Sequence, residues 1–413
     1  MTTASTQPTQ STQQARSYEN FVIVIAPLLN SVSGIAIDLY APSMPSIGRE
    51  FGVSALVMQG SISITLIAYA VGQLFFGLIA DGRGRLPAIL PGLALFIAGS
   101  LVAMLAGDIT QLLIGRAMQG FAIGACQVVA RALLVDNIQG ERFYVAVVYL
   151  SLAWGLGPVL APFIGGLVEQ YAGWRWNFAL YAGYSALLLA LSFRLQESLP
   201  PSRRKSLRQS LGGYVLILGN SRFLSATLAL GCSLSVFLIW NIIGPFVIQD
   251  RLQQSPSYFG TTALLAGICY LAGTLLNRTL IRTVSGRTLM LAGLGACVLG
   301  IFAMLCTPGA LVLPTLLAGV MLTNFGQGLL FSNVVALTMT LYPDRAGATA
   351  SLLGCGMMVC AGASSALVGH LPVGTNLSVS LPFAALLVLQ ALGIWGALRS
   401  TALRKAVDHE CQV

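Results

Sequence analysis

Residues 112–136 read LLIGRAMQGFAIGACQVVARALLVD. This run is long and apolar enough to cross a bilayer, for which about 20 apolar residues suffice. Arg116 lies within its first third, and a cation at that depth costs about 2.5–3.5 kcal/mol on insertion scales, so it needs a partner or a water-filled cavity. Asp38, at the end of another apolar run at residues 21–40, is the candidate partner. The sequence therefore predicts a membrane protein organised around a pair of Asp38 and Arg116.

The composition excludes a soluble domain. The chain has 413 residues, of which 56% are hydrophobic and only 8% are charged, whereas soluble domains carry about 25% charged residues. Its 45 glycines fit helices that pack closely in lipid. The net charge of +9 is typical of the Lys and Arg excess in the cytoplasmic loops of membrane proteins. No basic run with interleaved aromatic residues points to nucleic acid.

The sequence carries no pattern of catalytic or metal-binding residues. Seven of the eight cysteines fall inside apolar runs and Cys411 is in the tail, which predicts free thiols that pack as small hydrophobic groups. The two histidines, His370 and His409, have no cysteine at zinc-ligand spacing. A phosphate-binding Gly-Lys-Ser/Thr loop is also missing, so ATP is not the expected energy source. We expect neither an enzyme, nor a metal site, nor a bound cofactor.

Twelve apolar runs have the length that a membrane-spanning helix needs. We therefore predict an all-α membrane protein with twelve transmembrane helices. The predicted spans are 21–40, 55–79, 86–106, 110–134, 144–168, 175–194, 222–248, 258–281, 288–306, 311–340, 347–370 and 379–399.

A polar stretch divides these spans into two sets of six. It reads QESLPPSRRKSLRQS at residues 196–210 and is rich in proline, serine and basic residues, as a cytoplasmic linker is. Equal halves suggest internal duplication, and a Gly-Arg pair follows both the second and the eighth span. The predicted divisions are a disordered cytoplasmic tail (1–20), an N-terminal six-helix bundle (21–195), the linker (196–221), a C-terminal six-helix bundle (222–399) and a cytoplasmic tail (400–413).

The basic residues of the loops predict the orientation of the chain. If the N-terminus is cytoplasmic, the inner loops and tails carry 17 Lys and Arg residues and the outer loops carry 3. Such a bias marks the cytoplasmic side, so both termini are expected there. Only Arg116 and Arg131 remain within spans.

The loop after the second span reads GLIADGRGR at residues 77–85. Its glycines allow a tight turn, and its charges suit a latch between helices on the cytoplasmic side. The loop resembles the signature of the major facilitator superfamily. It departs from that signature at Gly82, where Arg is usual, and at Leu86, where a basic residue is usual; Arg83 compensates for the first by a shift of one residue.

Three further stretches resemble the same family. Residues 116–124 resemble its fourth-span motif, and residues 155–166, GLGPVLAPFIGG, resemble the fifth-span motif of drug:proton antiporters. Residues 38–45, DLYAPSMP, resemble the end of the first span in the Bcr/CflA-type group, and within it the MdtL and MdfA type. Each proline of the fifth span removes a helix hydrogen bond. The gating residues that the resemblance implies are Asp81, Arg83, Arg85, Asp136, Gly157, Pro158 and Pro162.

The resemblance implies proton-coupled export of drugs or other small lipophilic compounds across the inner membrane of a bacterium, by a monomer that uses the proton gradient and no cofactor. Burial and a nearby cation act in opposite directions on a carboxylate, so Asp38 is expected to take up and release the proton while Arg116 tunes it. A dedicated exporter of one metabolite, such as an amino acid, a nucleoside or a siderophore, is the alternative. A receptor without transport activity is disfavoured because no soluble domain is present.

Polar residues within the spans are candidates for a substrate cavity, although each is individually more typical of a hydrogen bond between helices. A second acid found in MdfA-type proteins is replaced here by Asn30, which predicts poorer handling of cationic substrates. Arg131 has no counterpart in the family pattern and lies about one turn from the end of its span, where it either extends to the membrane surface or pairs with Asp136 or Asp81. The candidate cavity residues are Tyr40, Gln127, Tyr149, Trp240, Asn241, Asn324, Gln327 and Asn333.

Overall fold

The computed structural model describes residues 10–204, 207–339, 341–342, 346–371 and 374–410, and every regular secondary-structure element within them is a helix. A 3-10 turn, Ala41–Ser43, joins the first two helices, and a π-helical turn, Phe246–Arg251, follows the ninth. The helices are α1 (Gln10–Asp38), α2 (Met44–Glu50), α3 (Ala55–Gly82), α4 (Leu86–Met104), α5 (Ile109–Asn137), α6 (Glu141–Ala172), α7 (Trp174–Ser192), α8 (Leu207–Leu218), α9 (Ser221–Pro245), α10 (Pro256–Leu280), α11 (Gly286–Leu305), α12 (Leu313–Met339), α13 (Ala346–Val368) and α14 (Asn376–Glu410).

The prediction of an all-α membrane protein is confirmed. In the part of the chain that the structure describes, 11 helices are long and apolar enough to cross a membrane. The predicted span that is not among them corresponds to α7, whose first turn contains Arg175 and Asn177. This helix still packs as a full member of its bundle, because Phe178 and Tyr181 are buried in it.

The helices alternate in direction, so the connections gather at two ends of the molecule. One end holds the turn between α3 and α4, the end of α5 and the segment between α7 and α9, and is here called the linker end. The other, here called the far end, holds the turn after α1, the start of α7 and the turn after α9. The cytoplasmic position of the linker end stays a prediction.

The two bundles repeat the same close helix contacts. In the N-terminal bundle, a Cβ atom at Gly120 of α5 would lie 2.2 Å from the carbonyl oxygen of Thr65 in α3. In the C-terminal bundle, a Cβ atom at Gly328 of α12 would lie 2.2 Å from the carbonyl oxygen of Tyr270 in α10. Backbones meet at both places only because glycine has no side chain. The shared contact fits the predicted duplication.

Segments that the sequence predicts as tail and linker contain helix. Helix α1 begins at Gln10, inside the tail predicted to be disordered; residues 1–9 lie outside the described residues. Tyr18 receives a hydrogen bond from the backbone N–H of Gln196 at 2.9 Å, and Glu19 pairs with Arg142, so the segment after α7 and the start of α6 hold this segment at the linker end. The linker contains α8, and α14 extends through the predicted second tail to Glu410.

Candidate transport cavity

A cavity lies midway between the two bundles. Its volume is about 50 Å³, whereas sites for drug-sized ligands measure about 300–1,000 Å³. A ligand of that size therefore requires the bundles to move apart. The wall is mainly apolar and aromatic, and α1, α3, α6, α9, α10, α12 and α13 contribute to it through residues that include Ser33, Asp38, Tyr69, Trp154, Phe237, Tyr270, Phe331 and Met358.

Asp38 supplies the acidic group of this cavity. It is the last residue of α1 and its side chain is buried, with 1% of the residue exposed. The side-chain amide of Asn241, in α9 of the other bundle, donates a hydrogen bond of 2.8 Å to Asp38 Oδ1. This bond joins the two bundles through a carboxylate. A hydrogen bond to an ionised acceptor is about twice as strong as one between neutral groups, so its strength depends on the charge of Asp38.

Arg116 does not form the predicted ion pair with Asp38. Its Nη1 atom donates to the carbonyl of Ala36 at 3.0 Å and to Oε1 of Gln119 at 2.8 Å. The guanidinium lies over the ring of Tyr40, with 4.7 Å from Cζ to the ring centroid. Arg116 is fully buried, and its Nε and Nη2 atoms have no hydrogen-bond partner. The cation therefore acts on Asp38 through the electric field and not through a direct bond.

The bundles are in contact at the far end. Arg49 pairs with Asp250 at 2.6 Å, and the side-chain amide of Gln249 donates to the carbonyl of Pro42 at 2.7 Å. A Cβ atom at Gly166 of α6 would lie 2.6 Å from the carbonyl of Pro256 in α10. Together with the bond between Asp38 and Asn241, these contacts close the cavity on this side.

The prolines of α6 lie where this helix meets its neighbours. Pro158 has no N–H to donate to the carbonyl of Trp154 one turn earlier. Gly34 of α1 packs against the same carbonyl, since a Cβ atom at Gly34 would lie 2.8 Å from it. Gly157 packs against the backbone of Gly34 in α1, and the carbonyl of Pro162 lies against Gly260 of α10. Helix α6 thus contacts α1 on one side and the other bundle on the other side.

At the linker end, Arg85 is the centre of a group of charges. Its Nε atom lies 2.9 Å from Asp136 Oδ2, and its Nη1 atom lies 3.1 Å from Asp81 Oδ1. Nη1 also donates to the carbonyl of Ala80 at 2.6 Å. Three of the four charged residues predicted for gating, Asp81, Arg85 and Asp136, are therefore brought together. Arg83 is exposed and has no ion pair with any residue that the structure describes.

Sequence reasoning missed a fourth member of this group, Glu197 of the linker. Its carboxylate accepts hydrogen bonds from the backbone N–H groups of Arg85 at 2.9 Å, Leu86 at 3.0 Å and Leu199 at 2.9 Å. Partial burial acts to raise the pKa of Glu197, but these backbone donors and the charge of Arg85 outweigh it and lower the pKa. Gly84 leaves room for the carboxylate, with φ of +127° and a Cβ position 2.3 Å from Glu197 Oε2. The linker thereby fastens the turn between α3 and α4.

Most of the predicted cavity residues form hydrogen bonds between or along helices instead of lining the cavity. Asn241 reaches Asp38, whereas Trp240 donates to Thr262 at 3.2 Å. Tyr149 is exposed on α6, with 49% of its surface accessible. The others are buried or half-buried with these partners: Tyr40 with Ser61, Gln127 with Gln73, Asn324 with the carbonyl of Val320, Gln327 with Ser233 and Gln390, and Asn333 with Asn277.

The cavity wall itself is aromatic, which sequence reasoning did not single out. Trp154 of α6 and Phe331 of α12 stack across the bundles, with 6.4 Å between ring centroids. Phe237 and Tyr270 pack edge to face at 5.3 Å. Asn30, the position at which relatives of the MdfA type carry an acid, donates to the carbonyl of Leu150 at 3.0 Å and lies behind the wall. Aromatic residues within spans were the available signal.

Comparisons with known proteins agree with this geometry. A family model described as Major Facilitator Superfamily matches residues 28–366. Multidrug resistance protein MdtL of Klebsiella pneumoniae is 29% identical over 324 residues, which cover 77% of this chain and 80% of that protein. Multidrug resistance protein D of Escherichia coli is 28% identical over 355 residues, or 85% of this chain and 89% of that protein. The structure of a D-xylose-proton symporter has the same fold, with a TM-score of 0.71 at 14% identity over 92% of this chain and 97% of the other.

Proposed function

We propose that this chain, which belongs to the Major Facilitator Superfamily, exports small lipophilic compounds in exchange for protons by alternating access. The observation that carries the proposal is the placement of Asp38. Among the described residues it is the one acid in the cavity wall, and it bonds to Asn241 across the boundary between the bundles. The names of relatives such as Multidrug resistance protein MdtL support drugs as one class of substrate.

The bond between Asp38 and Asn241 supplies the coupling. Ionised Asp38 accepts a charge-assisted hydrogen bond from Asn241, which favours a closed far end. A proton on Asp38 removes the charge and weakens this bond, and a compound that enters between the two side chains interrupts it. Proton and compound therefore compete for one carboxylate, and its occupancy shifts the balance between the two conformations.

Arg116 and the linker-end latch complete the cycle. Buried near the cavity wall, Arg116 favours the ionised form of Asp38 and thereby the release of the proton after each turn of the cycle. The ion pairs of Arg85 hold α3, α4 and α5 together as one body while the bundles rock. With the linker end in the cytoplasm of a bacterium, compounds would enter from that side and leave at the far end.

The aromatic wall suits lipophilic compounds of varied shape. Trp154, Phe237, Tyr270 and Phe331 offer flat apolar surfaces with few fixed hydrogen-bond directions. Sites of this composition bind through area and orient the ligand through a few polar groups. Asp38 and Tyr69 are such groups in this cavity.

The test uses everted membrane vesicles with an acid interior. Neutral and cationic lipophilic drugs are added, and the loss of the proton gradient is followed for the wild type and for Asp38→Asn. We expect several drugs to discharge the gradient with the wild type and none with Asp38→Asn. Glu169→Gln is the matched control, because Glu169 is a carboxylate of the same bundle that bonds to Ser46 at the far end and does not line the cavity.

Two outcomes would contradict the proposal. Discharge that persists in Asp38→Asn would mean that another group carries the proton. If no drug in the panel discharged the gradient with well-expressed wild type, multidrug export would be rejected and single metabolites would be tested next.

A further inference from the structure

Arg131 of α5 is the one intramembrane cation that neither the ion pairs nor the cavity wall explain. The residue is exposed, although it lies within a membrane-spanning helix. In the part of the chain that the structure describes, no carboxylate lies within 4.0 Å of its guanidinium. A charged side chain within a membrane-spanning helix is a candidate group of a pathway for a substrate or an ion.

The position of Arg131 on its helix directs it toward the interior of the protein. Arg116, Gly120, Gln127 and Arg131 follow one another at intervals of 4, 7 and 4 residues, which places them on one face of α5. The first three of these face α1 and α3: Arg116 bonds to Ala36, Gly120 packs on α3, and Gln127 bonds to α3. Arg131 continues this inner stripe toward the linker end. Helical side chains lean toward the N-terminus of their helix, which here means toward the cavity.

The hydroxyl of Tyr69 provides a second donor, on the face of α3 that packs against α5. Tyr69 lines the cavity together with Ser33 and Asp38, is 1% exposed, and its hydroxyl has no hydrogen-bond partner within 3.5 Å among the described residues. Tyr69 lies one turn from Gln73, which bonds to Gln127, and Arg131 lies one turn beyond Gln127 on the same stripe of α5. A buried hydroxyl without a partner is costly, so a group that accepts its hydrogen bond would bind there favourably.

The charges near the cavity determine which group fits. Between the two ends of the bundles, the described ionisable charges on this inner surface are Asp38, Arg116 and Arg131. Arg116 is sealed beneath Tyr40 and cannot reach a ligand, whereas Arg131 is accessible. With Asp38 ionised, the sum is one positive charge. A guanidinium with a neighbouring hydroxyl is a donor set for a carboxylate, sulfonate or phosphonate oxygen.

We propose that Arg131 and the Tyr69 hydroxyl bind an acidic group on the transported compound, so that this exporter prefers lipophilic compounds with one negative charge to their cationic counterparts. The inference rests on the proposed export function and names its substrate class. Entry from the linker end would bring the acidic group to Arg131 first and the apolar body to the aromatic wall beyond it.

Three compounds with one aromatic body test this preference. Naphthalene-1-sulfonate is a permanent anion, naphthalene-1-sulfonamide is neutral, and 1-naphthylmethyl-trimethylammonium is a permanent cation. Binding to the purified protein is measured by equilibrium dialysis, and transport is measured in everted vesicles with an acid interior. We expect the wild type to bind the sulfonate most tightly. Arg131→Gln should weaken sulfonate binding by about ten- to a hundredfold, the usual effect of losing a charged hydrogen-bond partner.

Control variants separate recognition from folding. Arg131→Gln should leave the affinity for the neutral sulfonamide within about twofold, and Arg131→Lys should restore part of the sulfonate affinity because it retains the charge. Tyr69→Phe should weaken sulfonate binding less than Arg131→Gln does, since it removes a neutral donor. Equal losses for all three compounds in both Arg131 variants would overturn the inference and indicate a structural role. Tighter binding of the cation by the wild type would overturn it as well.

The two proposals fail in different ways. If sulfonate binding depends on Arg131 but no compound discharges the proton gradient, the anion site stands and proton-coupled export is rejected. If the neutral compound discharges the gradient through Asp38 while sulfonate binding ignores Arg131, export stands and the anion site is rejected. In that second case, Arg131 extends to lipid headgroups instead.

Discussion

In the N-terminal bundle the turn between α3 and α4 is held by ion pairs, whereas the C-terminal bundle uses amides near its matching turn. Arg85 contacts Asp81 and Asp136 in the first bundle. In the second, Asn333 donates to Asn277 at 2.7 Å and Asn277 donates to Ser332 at 2.9 Å. The matching Arg287 is exposed.

The same contrast extends to the whole of each half. Residues 21–195 contain seven acidic residues, and residues 222–399 contain only Asp250 and Asp344, of which Asp344 lies outside the described residues. Both intramembrane arginines also belong to the first half. The close glycine contacts, in contrast, occur in both. Both halves therefore share the close helix packing, but the groups that bind protons and charges are concentrated in the N-terminal half. The C-terminal half contributes the neutral amide of Asn241, which bonds to Asp38.

The largest expected effect comes from exchanging the two matching arginines separately. Arg85→Gln leaves Asp136 without its cation, although only 14% of that side chain is exposed. Removing one partner of such a pair should lower the free energy of unfolding by roughly 3 kcal/mol. Arg287→Gln should change it by less than about 0.5 kcal/mol, as for an ordinary surface substitution. Unfolding of both variants in detergent micelles measures the difference.

Equal losses from Arg85→Gln and Arg287→Gln would break the comparison, because they would show that both turns depend on charge. Asp136→Asn serves as the companion variant to Arg85→Gln. Its loss of stability should not add to that of Arg85→Gln in the double variant, since the two residues share one contact.

A smaller effect is expected from the glycines, and here the two halves should behave alike. Gly120→Ala and Gly328→Ala each place a Cβ atom 2.2 Å from a backbone carbonyl oxygen. Overpacking of this kind costs about 1–3 kcal/mol, occasionally more. We expect similar decreases in thermal stability for the two variants, measured by the same unfolding experiment.

Gly183→Ala in the first bundle and Gly295→Ala in the second are the matched controls. Neither added Cβ atom would have a neighbour within 4 Å, so both variants should be neutral or slightly stabilised through higher helix propensity. A loss confined to one bundle would mean that the duplicated packing is not equivalent in energy.

The extent of the spans followed from hydropathy alone, because the thickness of a bilayer sets the length of each helix. Heights of residues along the helices were therefore predictable, and Asp38 and Arg116 do lie near one another. The rotation of each helix about its axis was not predictable, because sequence spacing does not reveal which neighbouring residue a side chain contacts. The guanidinium consequently turned out to lie over Tyr40, and the partner of Asp38 turned out to be Asn241 of the other bundle.

Contacts that join distant segments were the hardest to predict. The linker was interpreted from its many basic residues, which hid Glu197. A usable signal existed, because Glu197 is the sole acidic residue between Glu169 and Asp250. The contact of Gly34 with the carbonyl of Trp154 in α6 was also unpredictable. Nothing in a single sequence links Gly34 to the carbonyl that lacks its helix hydrogen bond because of Pro158.

The smallest expected effect concerns pH and again distinguishes the two turns. The pKa of Glu197 lies below its ordinary value of 4.5, because the backbone donors of Arg85, Leu199 and Leu86 outweigh its partial burial. A lowered pKa means that the ionised form stabilises the fold, that this contribution is complete above the ordinary pKa, and that it disappears as the pH falls through the lowered one.

The difference in melting temperature between the wild type and Glu197→Gln should accordingly be constant from about pH 8 to pH 5 and shrink below about pH 4.5. Because Glu197 is exposed, this difference in melting temperature should remain below about 2 °C even at neutral pH. Ser285→Ala, in the matching turn of the C-terminal bundle, also removes a group that receives a backbone N–H, that of Thr288 at 3.2 Å, but Ser285 does not ionise there. Its effect should not vary over this range. If the effect of Ser285→Ala on the melting temperature also varied with pH, the titrating group would not be Glu197. The pH dependence would then no longer distinguish the turn of the N-terminal bundle from that of the C-terminal bundle.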